Sequence, residues 1–285
     1  MRVHASQTVR SFFAGIVGLD ESTVQGIAAA EWEERDDGCG GYVVWAHGQD
    51  CKLTLDWGGG TGLLIGNVHS NASVKVGGTD KIISGVCEYV TTVDDNGSGI
   101  TFVQVPAEDD YPIWWDIEDY RPGGRAMLAA QAEGKYFEWD CAPAWSPTGD
   151  PIPEGLHYCH HDVSIPASIT SGTVTIVAEG RINVSNSGGN FTSYIDGLLF
   201  FSNEQPAATT ECGTNVVDIT GSGGSFTGFV FAPYGSIKYS GSGNHVLNGG
   251  LIGYTVDVSG NDFQISYQDD LCEDVTKRIL VRLIQ

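Results

Sequence analysis

Between residues 36 and 274 the chain consists of short runs in which apolar and polar residues alternate, broken by Gly/Ser/Asn turns. The pattern is clearest from Val217 to Tyr267. There the turn TGSG at 220–223 recurs as SGSG at 240–243 and as SGN at 259–261, so Gly221, Gly241 and Gly260 fall 20 and then 19 residues apart. Between the turns sit alternating runs such as Phe229-Val230-Phe231 and Ser236-Ile237-Lys238-Tyr239. Period-2 runs repeated every ~20 residues predict the stacked rungs of a solenoid, because each rung exposes an apolar inner edge that only the next rung can bury. The same grammar appears in GLLIGNVHSNASVKVGG (62–78), in GGLIGYTVDVSGN (249–261), and in VTIVAEGRINVSNSGG from Val174 with GLLFFSN at 197–203. The expected fold is therefore all-β, a right-handed parallel β-helix with rungs over 36–104 and 157–267. Antiparallel pairing would instead mark a β-sandwich of glycine-rich hairpins.

One segment breaks the rhythm. Residues 105–156 carry proline-flanked aromatics and acids (VPAEDDYPIWWDIEDYRP), then an Ala/Leu/Met-rich stretch that predicts a helix over Gly123–Glu133 ending at Gly134. This is expected to be an insertion on the side of the solenoid, with Trp114, Trp115, Trp139 and Trp145 covering an apolar flank. A row of tryptophans is also a candidate sugar platform, since aromatic faces stack on sugar rings. The two ends differ from the middle. Residues 1–35 read as strand (RVHASQTV), short helix (SFFAGIVGL) and strand (STVQGIAAAEW). The tail 275–285 alternates Ile279, Val281 and Leu283 with Arg278 and Arg282, which suits an edge strand pairing with the first module.

Composition sharpens this picture. Charged residues make up 18%, below the usual ~25%, and the 39 glycines suit tight turns better than helices. With 14 basic against 36 acidic residues the net charge is −22, which repels phosphate backbones and anionic lipid and argues against nucleic-acid partners. No run approaches the ~18 apolar residues of a membrane span. The first residues also lack a signal peptide, because SFFAGIVGL is short and leads into acidic residues; an exported form is then expected to be a mature or truncated chain. The cysteines, Cys39, Cys51, Cys87, Cys141, Cys159, Cys212 and Cys272, follow no CxxC or zinc spacing. They are read as disulfide candidates in an oxidising compartment, with Cys39–Cys51 the expected pair and one thiol left over by the odd count.

The opening QTVRSFFAGIVGLDESTVQGIAAAEW resembles the strand, FFA-x-I-x-G turn and small-residue strand of proteins of the tight-adherence (Tad/Flp) pilus-assembly class. Downstream, IGNVHSN (65–71), PEGLHYC (153–159), GTVTIVAEGRINVS (172–185), DGLLFFSN (196–203), FTGFVFAPYGSIKYSGSG (226–243) and LIGYTVDVSG (251–260) resemble the polymer-like β-solenoid regions of these secreted proteins. The resemblance covers most of the chain but rests on packing residues and turns. It implies an exported, cell-surface structural role and brings no catalytic residues with it.

Candidate chemistry points the same way. Glu108, Asp109, Asp110, Asp116, Glu118 and Asp119 could serve a polysaccharide-cleaving β-helix, but they cluster in sequence as a solvated loop does. His160 and His161 are adjacent on a strand and so point to opposite faces, which disfavours a shared metal. Turns at 93–97 and 260–262 are weak Ca²⁺ candidates that match no EF-hand, and no other cofactor is implied. Sequons at Asn71, Asn96, Asn183 and Asn190 are candidate glycosylation sites, and regular TxT ladders are missing. The sequence thus predicts a non-catalytic, self-associating structural subunit of a surface filament. Its basic end strand (Arg278, Arg282, Ile279, Val281, Leu283) would dock head-to-tail on an acidic neighbour. The alternative is a carbohydrate-binding or carbohydrate-cleaving β-helix, an adhesin or lyase-like protein.

Overall fold

The computed structural model describes residues 2–9, 22–33, 40–78, 80–95, 99–207, 212–272 and 280–284, with backbone alone for 2–9, 22–33, 186–187, 272 and 280–284. It comprises two compact units, Met1–Asp37 with Thr276–Gln285, and Gly38–Val275. In the first unit Arg2–Val9, Ser22–Glu33 and Leu280–Ile284 form an antiparallel three-stranded sheet with Ser22–Glu33 in the centre. Leu280–Ile284 is thus an edge strand, with Arg282 paired to Glu31. The helix expected at 11–19, and Arg278 and Ile279, lie outside the described residues.

The second unit is a β-solenoid of 21 strands, paired in parallel from rung to rung along three ladders. Pairing is parallel throughout Val217–Ser266, which excludes the hairpin alternative. In the first ladder the central positions run Phe137, His157, Ile176, Phe200, Val230, Leu251, Val44, Val68, Cys87 and Phe102, each stacked on the next. The second ladder stacks Val163, Ile182, Val217, Ile237, Val256, Leu55, Val74 and Val93. The third stacks Phe191, Phe226, Leu247, Ile265, Leu64 and Ile83. These side chains point inward and nearly all are fully buried. Each large aliphatic or phenyl group so buried contributes about 1.5–3 kcal/mol.

The order of rungs in space is not their order in sequence. Tyr42–Ala46 enters at the middle of the stack, and the chain winds outward to Phe102–Gln104 at one end. It then crosses back along the outside, starts again at Tyr136–Trp139 at the other end, and winds inward until His245–Gly260 and Phe263–Ser266 pair with Tyr42–Ala46, Leu55–Trp57 and Gly62–Ile65. A seam between two windings therefore lies mid-stack. Glycines cross it: Gly241, Gly260, Gly59 and Gly78 share one corner, and a Cβ on Gly260 would collide with the Gly241 carbonyl and one on Gly78 with the Gly59 carbonyl. With φ of +129° at Gly260 and +94° at Gly78, only glycine suits this column.

The crossing segment holds two helices, α1 (Ile117–Tyr120) and α2 (Arg125–Ala132), and α2 ends at Gly134 with φ +72° as the sequence predicted. The insertion is shorter than the expected 105–156. Tyr136–Trp139 and Ala144–Trp145 already pair in parallel with Gly155–Cys159 and Asp162–Ile165, so they are rungs. The proline-rich, irregular spacing of 140–153 hid their period from the sequence.

Candidate functional site on the outer faces of the solenoid

Because side chains alternate across a strand, each ladder has an outward column as well as an inward one. The three outward columns differ in chemistry.

On the first ladder the outward residues Trp45, Ile252, Phe231, Phe201, Val177 and Tyr158 form an apolar strip. The crossing segment covers it with Ile113, Trp115, Tyr120, Ala126, Met127 and Ala130, making a second core cluster. Asp196, buried and at φ +55°, clamps this layer. Its carboxylate accepts from Tyr120 Oη at 3.0 Å and pairs with Arg125 at 2.7 Å, and its carbonyl accepts from Trp115 Nε1 at 3.2 Å. Burial and the neighbouring Asp196 carboxylate push the Tyr120 hydroxyl well above its usual pKa. Arg121 binds Tyr158, Glu179 and Glu118. Three of the six acids considered for catalysis have structural partners here: Asp116 caps α1, Glu118 pairs with Arg121, and Asp119 lies 3.6 Å from Arg125.

Past Trp45 the same column turns polar. His69, fully buried, stacks on Trp45 with ring centroids 3.9 Å apart. Its Nε2 donates to Asn71 Oδ1 at 2.9 Å and its Nδ1 lies 3.1 Å from Glu88 Oε2, which also accepts from Tyr42 at 2.9 Å. Asn71 Nδ2 donates to the carbonyls of Glu108 and His47 at 2.7 and 3.0 Å, so this network anchors the start of the crossing segment. Burial, then the nearby His69, lowers the pKa of His47.

The second ladder presents charge. Its outward column reads Asn183, Asp218, Lys238, Asp257, Asp56, Lys75 and Asp94. Lys75 lies 3.1 Å from Asp56 and Lys238 3.9 Å from Asp218. Burial, and then the Asp56 charge on the next rung, push the Asp257 carboxyl above the usual range.

Among the described residues the third ladder presents no charged outward position and no segment packed over it. One outward column runs Ser171, Asn190, Ser225, Val246, Gln264, Leu63, Ile82; the other runs Thr173, Thr192, Thr227, Asn248, Ser266, Ile65. None of these thirteen positions is charged. Ile82 and Ile65 are 58% and 38% exposed, and a groove of about 310 Å³ lies between Leu63, Ile82, Val246 and Gln264, with the carboxylates of Asp80 and Asp262 at its edge.

Aromatic rings close the end that begins at Tyr136. Trp139 and Trp145 stack at 5.0 Å, and His157 lies between Phe137 at 4.7 Å and Trp145 at 5.2 Å. Trp139 Nε1 donates to His157 Nδ1 at 3.1 Å, and Nε2–H of His157 donates to the Pro153 carbonyl at 2.7 Å. Burial lowers its pKa to about 4. Of the four tryptophans expected to cover a flank, only Trp114 and Trp115 lie in the crossing segment; Trp114 is 37% exposed and Trp115 is buried.

The cysteine expectation is corrected in its pairing. Cys51 bonds Cys212, 161 residues away, with Cα atoms 5.5 Å apart. Cys39 lies outside the described residues, and Cys87, Cys141 and Cys159 are free. The pairing follows from the threading. The register puts three steps of ~4.8 Å between Val217 and Leu55, which lie in the strands that follow Cys212 and Cys51. No signal in the sequence placed these loops together. Asn71 is 2% exposed with its amide nitrogen committed, so no glycan fits there; Asn183 and Asn190 are exposed, and Asn96 lies outside the described residues. His160 binds Glu138 at 2.8 Å and His161 binds Asp140 at 3.1 Å. Among the described residues no group of three or more His, Cys, Asp or Glu could hold a metal, and no helix is long and apolar enough to cross a membrane. The bare face escaped the sequence reading because its stacked threonines Thr173, Thr192 and Thr227 are 19 and then 35 residues apart.

A family model described as a domain of unknown function (DUF7305) matches residues 140–273, just under half of the chain and nearly all of its inward winding. No curated protein matches the sequence. Among solved structures the chain is similar to an ice-binding protein from an Antarctic biological consortium, at 12% identity and a TM-score of 0.34, covering 80% of this chain and 87% of that one.

Proposed function

We propose that the chain is an exported, non-catalytic structural module of a cell-surface filament or pilus-associated assembly, as its resemblance to the tight-adherence class implies. The observation that carries this reading is the disulfide-tied solenoid itself. Its side chains are spent on a continuous lumen, a covered flank and regular outer columns, which makes a stiff rod that presents faces. The Cys51–Cys212 bond supports folding in an oxidising compartment. Self-association is assigned to the three-stranded unit, whose edge strand Leu280–Ile284 adjoins the sequence basic cluster Lys277, Arg278 and Arg282. Negative-stain electron microscopy of the purified chain tests this. Filaments that lengthen with concentration and are lost in an Arg278→Glu/Arg282→Glu variant are expected; monodisperse particles at every concentration overturn the reading.

A further inference from the structure

Of the three outer faces, the crossing segment covers one, charges line the second, and the outward columns of the third carry no charge and no cover among the described residues. We propose that this third face binds a single neutral polysaccharide chain laid along the solenoid axis. The inference goes beyond the structural role and does not depend on polymerisation.

Charge restricts the partner first. In a chain of net charge −22, thirteen adjacent outward positions carry no charge, and the neighbouring carboxylates stand beside Ser171 (Asp150) and at the groove (Asp80, Asp262), so along the strip between them a cationic partner finds no ion pair and a neutral one is repelled least. Size restricts it next. Seven strands at ~4.8 Å spacing make a strip ~29 Å long and, at three residues per strand, ~10 Å wide. That is ~300 Å² against the ~800 Å² per partner of a stable protein–protein interface, so a second copy is a poor fit and one extended polymer chain is a good one. Surface chemistry then selects the polymer. Ser171, Thr192, Thr227, Asn190, Asn248 and Gln264 offer hydroxyl and amide groups that both donate and accept, as sugar hydroxyls do. Leu63, Ile65, Ile82 and Val246 offer aliphatic surface for the C–H faces of the rings. The groove between Leu63, Ile82, Val246 and Gln264 supplies a concave seat at one end of the strip. Because every rung repeats the spacing of the last, the strip suits a ligand that itself repeats.

The test is calorimetric titration of the full chain with cello-, chito- and laminari-hexaose, alongside pull-down on the matching insoluble polymers. A Thr192→Glu/Thr227→Glu variant places two carboxylates on the strip at outward positions, and Lys75→Gln on the charged face serves as control. The expected result is saturable binding to at least one neutral hexaose, unchanged between 50 and 500 mM NaCl as about two Debye-length regimes. It should weaken at least tenfold in the double variant, with circular dichroism and melting temperature retained, and persist in the Lys75→Gln protein. Absence of binding to all three sugars, or binding that the double variant keeps, overturns the proposal. So does a dimer seen by sedimentation, or inhibition of ice growth, that the same variant abolishes, since each names a different occupant.

Discussion

Removing the Cys51–Cys212 bond with a Cys51→Ala/Cys212→Ala variant should destabilise the solenoid by several kcal/mol while leaving its rungs intact. The bond closes a loop of 161 residues. Chain entropy for n = 161 gives 2.1 + 1.5R ln n ≈ 17 cal/mol/K, or about 5 kcal/mol at 25 °C, as the upper value. Spread over a domain of this size, that lowers the melting temperature by about 10–20 °C. The location matters as much as the size, because the bond ties the inward winding to the outward one across the seam between His245–Gly260 and Tyr42–Trp57. Hydrogen exchange in the variant should therefore accelerate first in those seam strands, and later in the Ile176 and Phe200 rungs. Differential scanning calorimetry gives the first number and exchange mass spectrometry the second. A melting temperature within about 2 °C of the parent, with the bond verified by mass spectrometry in the parent, would refute the entropic argument and the threading that sets its length.

Further predictions concern acid, the clamp and the corner. His157 and His245 are both buried with pKa values lowered to about 4, so each folded ring holds fewer protons than the unfolded one between pH 6.5 and 4. Stability should be fully present above pH 6.5 and fall as the pH drops towards 4, by up to ~3 kcal/mol per ring. The raised carboxyl of Asp257 opposes this in part. Urea midpoints at pH 7.5 and 4.5 measure the slope, and a His157→Phe/His245→Phe variant should flatten it; a wild-type profile flat across this range would contradict the burial. Asp196→Ala leaves Tyr120 buried without its acceptor and should cost ~2–4 kcal/mol, with limited proteolysis cutting first within 105–135. Gly260→Ala should disrupt the corner by ~3 kcal/mol or more and yield mostly insoluble protein, whereas Gly149→Ala, where the added Cβ meets nothing within 4 Å, should stay soluble.

The rungs were legible because their cause is local. Gly221, Gly241 and Gly260 recur at the rung length since each occupies the same corner, and Ile237, Val256 and their neighbours alternate since one face of every strand looks into the lumen. The threading was not legible. Val44 stacks on Leu251 as well as it would on any aliphatic residue, so its identity carries no address for its partner. The disulfide inherits that ambiguity, because Cys51 meets Cys212 only once the two windings are placed. The aromatic rows misled for a related reason: Trp115 packs on a flank while Trp139 and Trp145 close an end, and the sequence marks all three alike as large apolar residues. The bare face is a property of columns, visible only when Asn190, Ser225 and Val246 stand beside one another.

Export to a surface assembly can be checked by immunogold electron microscopy of intact cells that make the protein natively, paired with thiol alkylation of the recovered chain. Gold should lie along filaments at the cell surface, and the Cys51–Cys212 pair should resist alkylation until reduced. Gold confined to the cytoplasm, with Cys51 and Cys212 alkylated without prior reduction, would contradict it.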